Sequence, residues 1–233
     1  MSLILCLETA TEVCSVAIAQ NGVTLCSESV QQGNSHAAQL QILVQNCLQK
    51  TGYTLKNLDA IAISKGPGSY TGLRVGTSAA KGYCYGLDIP LIAIDSLSSL
   101  CNLLLQKQKP EPNILLAPMI DARRMEVYTA VLDQELHVLE PISAKIITET
   151  SFLELLTNNQ VLFFGNGSAK CKTSITHPNA IFSDHLNCHA EGLCSLAERA
   201  FVKKIFENSA YFEPYYLKDF VGTQAKKLAK TGI

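Results

Sequence analysis

Residues 64 to 86 read Ser-Lys-Gly-Pro-Gly-Ser-Tyr-Thr-Gly-Leu-Arg-Val-Gly-Thr-Ser-Ala-Ala-Lys-Gly-Tyr-Cys-Tyr-Gly, a composition that could cradle a phosphate. Gly66, Pro67 and Gly68 make a defined turn, because proline fixes its own φ and the flanking glycines can reach positive φ. Ser69 opens a helix behind that turn, and a helix N-terminus favours an anion. Two common phosphate loops are excluded by spacing. A dinucleotide fingerprint needs its third glycine one residue before Gly72, and a Walker loop needs Gly-Lys-Ser/Thr where this chain has Gly72-Leu73-Arg74. A third reading is architectural: a tight turn feeding a helix that another backbone or a ligand approaches closely. Gly72, Gly76, Ala79, Ala80 and Gly82 leave several faces of the helix nearly bare. Glycine costs about 1 kcal/mol relative to alanine inside a helix, so their number needs a reason. The loop by itself leaves packing and anion binding both open.

A second candidate is the polar turn Glu8-Thr9-Ala10-Thr11-Glu12, set between the apolar runs Leu3–Leu7 and Val13–Ala19. Asn21-Gly22, a strong hairpin signal, leads to a third strand, Val23–Val30. Three such strands with a Thr-rich first turn describe the start of an actin-like ATPase lobe, where the first hairpin approaches nucleotide phosphates. Thr9 and Thr11 could equally cap the turn. Glu8, Thr9, Thr11, Gly66, Gly68 and Ser69 form the candidate phosphate-loop set.

Other constellations carry less. His185, Cys188, His189 and Glu191 are ligand types in close sequence, but this spacing fixes little geometry, and no metal site is expected. There is no G-x-S-x-G elbow, and no cysteine sits in an electropositive stretch. Asp121, Arg123 and Arg124 read as a charged turn, and His36 as a capping or surface residue. No catalytic residue is assigned.

The elements that must position these residues follow from periodicity. A helix from Ser35, its N-cap, to Lys50 carries Leu40, Leu43, Val44, Cys47 and Leu48 as an apolar stripe, with Ile42 off it. Strands are expected at 59–64 and 91–94, with a helix capped by Ser96 running to about Lys107. Lys107-Gln108-Lys109-Pro110-Glu111-Pro112 is the clearest linker and sets the expected division into lobes 1–108 and 109–233, the last segment packing back on the first lobe. The second half restarts with strands at 114–120, 126–132, 136–147 and 161–164. A short helix is expected from Thr150 to Thr157 and a longer one from about Ala190 to Glu207. Tyr211, Phe212, Tyr215, Tyr216 and Phe220 read as core. Recurrence of the pattern in both halves points to a pseudo-duplicated α/β protein.

With 233 residues, 47% hydrophobic and 17% charged, the chain can bury a sizeable core. A net charge of −1 argues against gripping a nucleic-acid backbone unaided, and the lysines at 218, 226, 227 and 230 read as a solvated face. Nine cysteines without a C-x-x-C pair, and no basic leader, point to a reducing cytoplasm. No apolar run reaches the roughly 20 residues of a membrane span.

Several stretches resemble the TsaB (YeaZ) family: Leu5 to Ala17 around Glu8-Thr9-Ala10-Thr11-Glu12, Lys65 to Gly76, Ile89-Pro90, Asp121 to Tyr128, and Pro214 to Lys218. Glu8 departs from the family's usual aspartate. The resemblance implies an actin/hexokinase-like (ASKHA) two-lobed fold with a duplicated sheet. It also implies a role in making N6-threonylcarbamoyladenosine at position 37 of tRNAs reading ANN codons. In that system the TsaB-type chain is not the catalyst. It pairs with its paralogue TsaD, with itself as a homodimer, and with the ATPase TsaE; tRNA is met only through the complex, and ATP or ADP could lie at the complex interface. The paralogue's metal-binding H-x-x-x-H falls here on Ser96 to Leu100, which holds no histidine. Pairing through the first two helices would draw on Leu40, Leu43, Val44, Leu48, Gly72, Arg74, Gly76, Ala79 and Ala80. The alternative function is a stand-alone ASKHA-type ATPase or small-molecule kinase, or a metallopeptidase-like enzyme.

Overall fold

A strand with no polar alternation must be covered on both faces, and β1 (Leu3–Glu8) is: all six of its residues are buried. The computed structural model describes residues 1–31, 36–183 and 186–218. In it β1 pairs antiparallel with β2 (Val13–Gln20), which pairs antiparallel with β3 (Val23–Gln31). After α1 (His36–Thr51), β4 (Ala60–Ser64) adds parallel to β1. The crossover α2 (Tyr70–Leu87) then brings β5 (Leu91–Ile94) parallel to β4. The first sheet therefore runs β3-β2-β1-β4-β5.

The second half repeats this plan. Helix α3 (Ser96–Lys107) leads to the antiparallel meander β6 (Leu115–Asp121), β7 (Glu126–Leu132) and β8 (Val138–Ile146). After α4 (Leu153–Asn158), β9 (Val161–Phe164) joins parallel to β6 and β10 (Ala180–Phe182) parallel to β9. The order is β10-β9-β6-β7-β8, the first sheet's pattern again. Helix α5 (Glu191–Val202) closes the series.

The helices are exchanged between the halves. On one face of the first sheet, α1 and α2 bury Leu40, Val44, Cys47, Ala80 and Cys84 against Leu5, Leu7, Ile61 and Ile63. Its other face is covered by α5, through Leu193, Cys194 and Ala197 on Ile4, Cys6 and Ala62. Helix α3, from the first half, packs Leu97, Leu100 and Leu104 into the second sheet's core with Leu116, Leu162 and Phe164. Where α3 meets α5, Asn102 is buried and its Nδ2 donates to the Gly192 carbonyl (2.7 Å) and to Ser195 Oγ (2.9 Å). Asn102→Ala removes both of these hydrogen bonds, and the expected loss of stability is about 1–3 kcal/mol, read as a lower urea midpoint at unchanged m.

Several boundaries differ from expectation. The cap of α3 is Asp95, whose Oδ1 accepts the Ser98 N–H (2.8 Å); Ser96 lies inside, its Oγ 2.7 Å from Ser64 Oγ. Helix α4 starts at Leu153, after Phe152 in the left-handed region (φ 61°). Helix α5 stops at Val202, and Lys204 turns the chain with φ 56° so that Glu207 can bridge Leu91. Of the described C-terminal aromatics only Phe212 is buried, while Tyr211 is 84% exposed. Ser35, His185, Phe220 and the lysines at 226, 227 and 230 lie outside the described residues. All nine cysteines are free, eight of them buried. Among the described residues no helix is long and apolar enough to cross a membrane.

Candidate functional site

The β1–β2 turn and the glycine loop meet at one place. Ser69 N–H donates to the Ala10 carbonyl (2.6 Å), and Ser69 Oγ accepts from Gly72 N–H (3.3 Å), capping α2. A Cβ on Gly68 would stand 2.2 Å from the Ala10 carbonyl oxygen, one on Gly72 2.0 Å from the Thr9 carbonyl oxygen, and one on Gly76 2.3 Å from Thr9 Oγ1. Real Cβ atoms do not approach so closely, so these glycines exist to let α2 lie against the turn. From the turn's other side, His36 Nε2–H donates to the Thr11 carbonyl (2.8 Å) and pins the start of α1.

Glu8 ends β1 fully buried. Its Oε1 accepts the Ala10 N–H (2.7 Å), while Oε2 has no partner. Burial pushes its pKa up from 4.5 to about 7, the Ala10 N–H pulling the other way without cancelling it. The Thr9 and Thr11 hydroxyls are likewise buried without partners. Thus Glu8, Thr9, Thr11, Gly68 and Ser69 lie together, while Gly66 turns away, facing the Tyr215 carbonyl and the Leu73 side chain. The arrangement does not fit a phosphate: the start of α2 is faced by two carbonyl oxygens, and the Ser69 N–H is already bonded. An anion needs free donors at that point.

The helix residues expected at a partner interface divide. Leu43, Val44 and Ala80 are buried in the chain's own core, and Gly72 and Gly76 face Thr9, so none of these five presents itself to a partner; Leu40 is buried too but lines the groove between the helices. The reason is that both helices use their stripes on their own sheet. Arg74 is exposed, and Leu48 and Ala79 are half-buried. A shallow apolar groove runs between the helices, lined by Ala37, Gln41, Arg74, Val75, Ser78 and Ala79 among others. On the same two helices Ile42 and Tyr85 are 48% and 90% exposed. Nothing lies within 4 Å of a Cβ on Gly82 or Gly86.

One feature escaped sequence reading. Asn166 ties the tips of both sheets, its Nδ2 donating to Glu12 Oε2 (2.7 Å) and its Oδ1 accepting the Asp121 N–H (3.0 Å). Asn166 lies between Gly165 and Gly167 just after β9, and its partner Glu12 lies 154 residues away. The C-terminal strap also crosses the glycine loop: Tyr215 N–H donates to the Lys65 carbonyl (2.7 Å), and the Tyr216 ring lies 4.8 Å from that of Tyr70, over which Arg74 sits at 4.4 Å. The remaining expectations resolve simply. Asp121 pairs with Lys170 at a charged turn where Arg123 and Arg124 have positive φ. Cys188 is buried in the core and His189 stands 3.7 Å from Glu191. Among the described residues no three His, Cys, Asp or Glu side chains gather as a metal site.

Residues 30–232 match the family described as TsaD: tRNA N6-adenosine threonylcarbamoyltransferase. The chain is 30% identical over 228 residues, 94% of each protein, to the tRNA threonylcarbamoyladenosine biosynthesis protein TsaB of Haemophilus influenzae. The chain belongs to the TsaB (YeaZ) family. Its structure superposes on YeaZ from Pseudomonas aeruginosa with a TM-score of 0.82 at 28% identity, covering 93% of this chain and all of that one. A more distant likeness is the activator of the 2-hydroxyisocaproyl-CoA dehydratase from Clostridium difficile with bound ADPNP. There the TM-score is 0.51 at 12% identity, over 88% of this chain and 98% of that one. With its two matching mixed sheets, this TsaB-family chain has an actin/hexokinase-like (ASKHA) α/β fold.

Proposed function

We propose that this chain works in tRNA threonylcarbamoyladenosine biosynthesis as a non-catalytic, activating subunit. In this reading it pairs with a TsaD-type catalytic paralogue that transfers threonylcarbamoyl to N6 of adenosine 37 in tRNAs reading ANN codons. The observation that carries the reading is the packed start of α2, where the carbonyls of Thr9 and Ala10 stand at the place an anion would take. Ser96 and Leu100, at the positions of the paralogue's metal histidines, are buried and hold apolar or hydroxyl side chains that make poor metal ligands. An ATP or ADP at the complex interface would then be held chiefly by the partner. A TsaE-type ATPase and tRNA join through the pair, and self-pairing would use the same face.

The surface that suits pairing is the outer side of α1 and α2, where small residues let a partner helix approach and Ile42, Val75 and Tyr85 supply apolar area. A charge at Gly76 or Ala80 would wreck the fold and report nothing about pairing. Gly82→Arg is the clean test, since its side chain enters open space. The expected result is a thermal midpoint that is not lowered, with at least about tenfold weaker co-sedimentation with the paralogue. Reconstituted modification with tRNA, ATP and threonylcarbamoyl-adenylate should need both chains. Full activity of the paralogue alone, or turnover by this chain alone, overturns the proposal.

A further inference from the structure

Open α/β sheets bind ligands just outside the carboxyl ends of their parallel strands. At the ends of β4 and β5 lies a cavity of about 270 Å3 that the proposed pairing does not use. Three cations line it: Lys65, directly after β4, and Arg199 and Lys203, from the last turn of α5 and the residue after it. Its one carboxylate, Asp95, is engaged as the cap of α3, accepting the Ser98 N–H at 2.8 Å. Among the described residues, neither Lys65, Arg199 nor Lys203 forms an ion pair or side-chain hydrogen bond. Cations at a helix C-terminus complement its dipole, which accounts for Arg199 and Lys203 but not for Lys65 arriving from another element.

The backbone that carries these side chains is tied down. Lys65 N–H donates to the Ile94 carbonyl (2.8 Å), and its own carbonyl accepts from Tyr215 (2.7 Å). Lys203 N–H closes on Arg199 (3.2 Å), and Ile205 N–H on Ala200 (2.9 Å). Ala93, Ile94, Leu196 and Ala200 also line it, with Arg199 and Lys203 exposed at its side. No aromatic ring lines the cavity, so nothing is offered for stacking a base. Its volume falls just under the range of roughly 300–1,000 Å3 typical of small-molecule pockets.

We propose that this cavity binds a small phosphate anion, best an inorganic diphosphate, held by Lys65, Arg199 and Lys203 and recognised through its charge alone. The test is calorimetric titration of the full chain at low ionic strength with pyrophosphate, orthophosphate and adenosine monophosphate. Saturable pyrophosphate binding is expected, weakened at least about tenfold in R199Q/K203Q and again in Lys65→Gln, and unchanged in Lys56→Gln, which lies on a different turn. Circular dichroism should show every variant folded, because among the described residues the three side chains hold no hydrogen bond or ion pair. Absence of saturable binding in the millimolar range, or equal binding by the variants, overturns the proposal. Tighter binding of adenosine monophosphate than of pyrophosphate overturns the assignment to charge alone. The isolated chain suffices, so the result is independent of any partner.

Discussion

Gly72→Ala should cost about 3 kcal/mol or more of folding stability, while Gly82→Ala, ten positions along the same helix, should add up to about 1 kcal/mol. The first methyl group would sit 2.0 Å from the Thr9 carbonyl oxygen, a backbone atom that cannot move aside without dragging the end of β1 and the β1–β2 turn. The second meets nothing within 4 Å and only lowers the conformational entropy of the unfolded chain. Both glycines are helical in φ, so the comparison isolates space from backbone strain. Urea unfolding of the two variants is sufficient. Equal and small effects would mean that α2 does not lie against the turn as described.

The second large effect is in pH. Glu8 has its folded pKa raised to about 7, against 4.5 ordinarily, because a buried carboxylate loses its hydration and the hydrogen bonds around it only partly compensate. Below about pH 4.5 the carboxyl is protonated in both folded and unfolded chains and adds no pH dependence. Between 4.5 and 7 the unfolded chain releases the proton and the folded chain holds it, so stability falls as pH rises. Above 7 the full penalty stands, on the order of 3 kcal/mol. Glu8→Gln removes the ionisation and keeps an acceptor for the Ala10 N–H. Subtracting the variant's stability from that of the parent chain should leave a curve falling between pH 4.5 and 7 and flat beyond. A flat difference throughout would place Glu8 in contact with water.

Most of the fold was legible because its signals are local. Apolar runs at 3–7, 61–63 and 161–164 became buried strands, Asn21-Gly22 made its hairpin, and the stripe from Leu40 to Cys47 faced the core. What was not legible depends on which sheet a helix ends up covering. The pattern on α3 or α5 says that one face is buried, not against what, and each crosses to the other half. The site shows the same limit. The glycines of α2 were read as needing a close neighbour; for Gly72 and Gly76 that neighbour is the chain's own β1–β2 turn, while Gly82 has none. Composition cannot tell an internal contact from an external one. The buried Glu8 was likewise visible only as one polar residue in a turn.

The crossing of α3 and α5 has a consequence for biosynthesis. A ribosome delivers β1 through β5 long before α5, so one side of the first sheet stays naked, with Ile4, Cys6 and Ala62 open to water, until residue 202 has emerged. Release of a nascent chain stalled at the 108–112 linker should therefore yield an aggregation-prone fragment, and chaperone occupancy should persist until nearly the whole message has been translated.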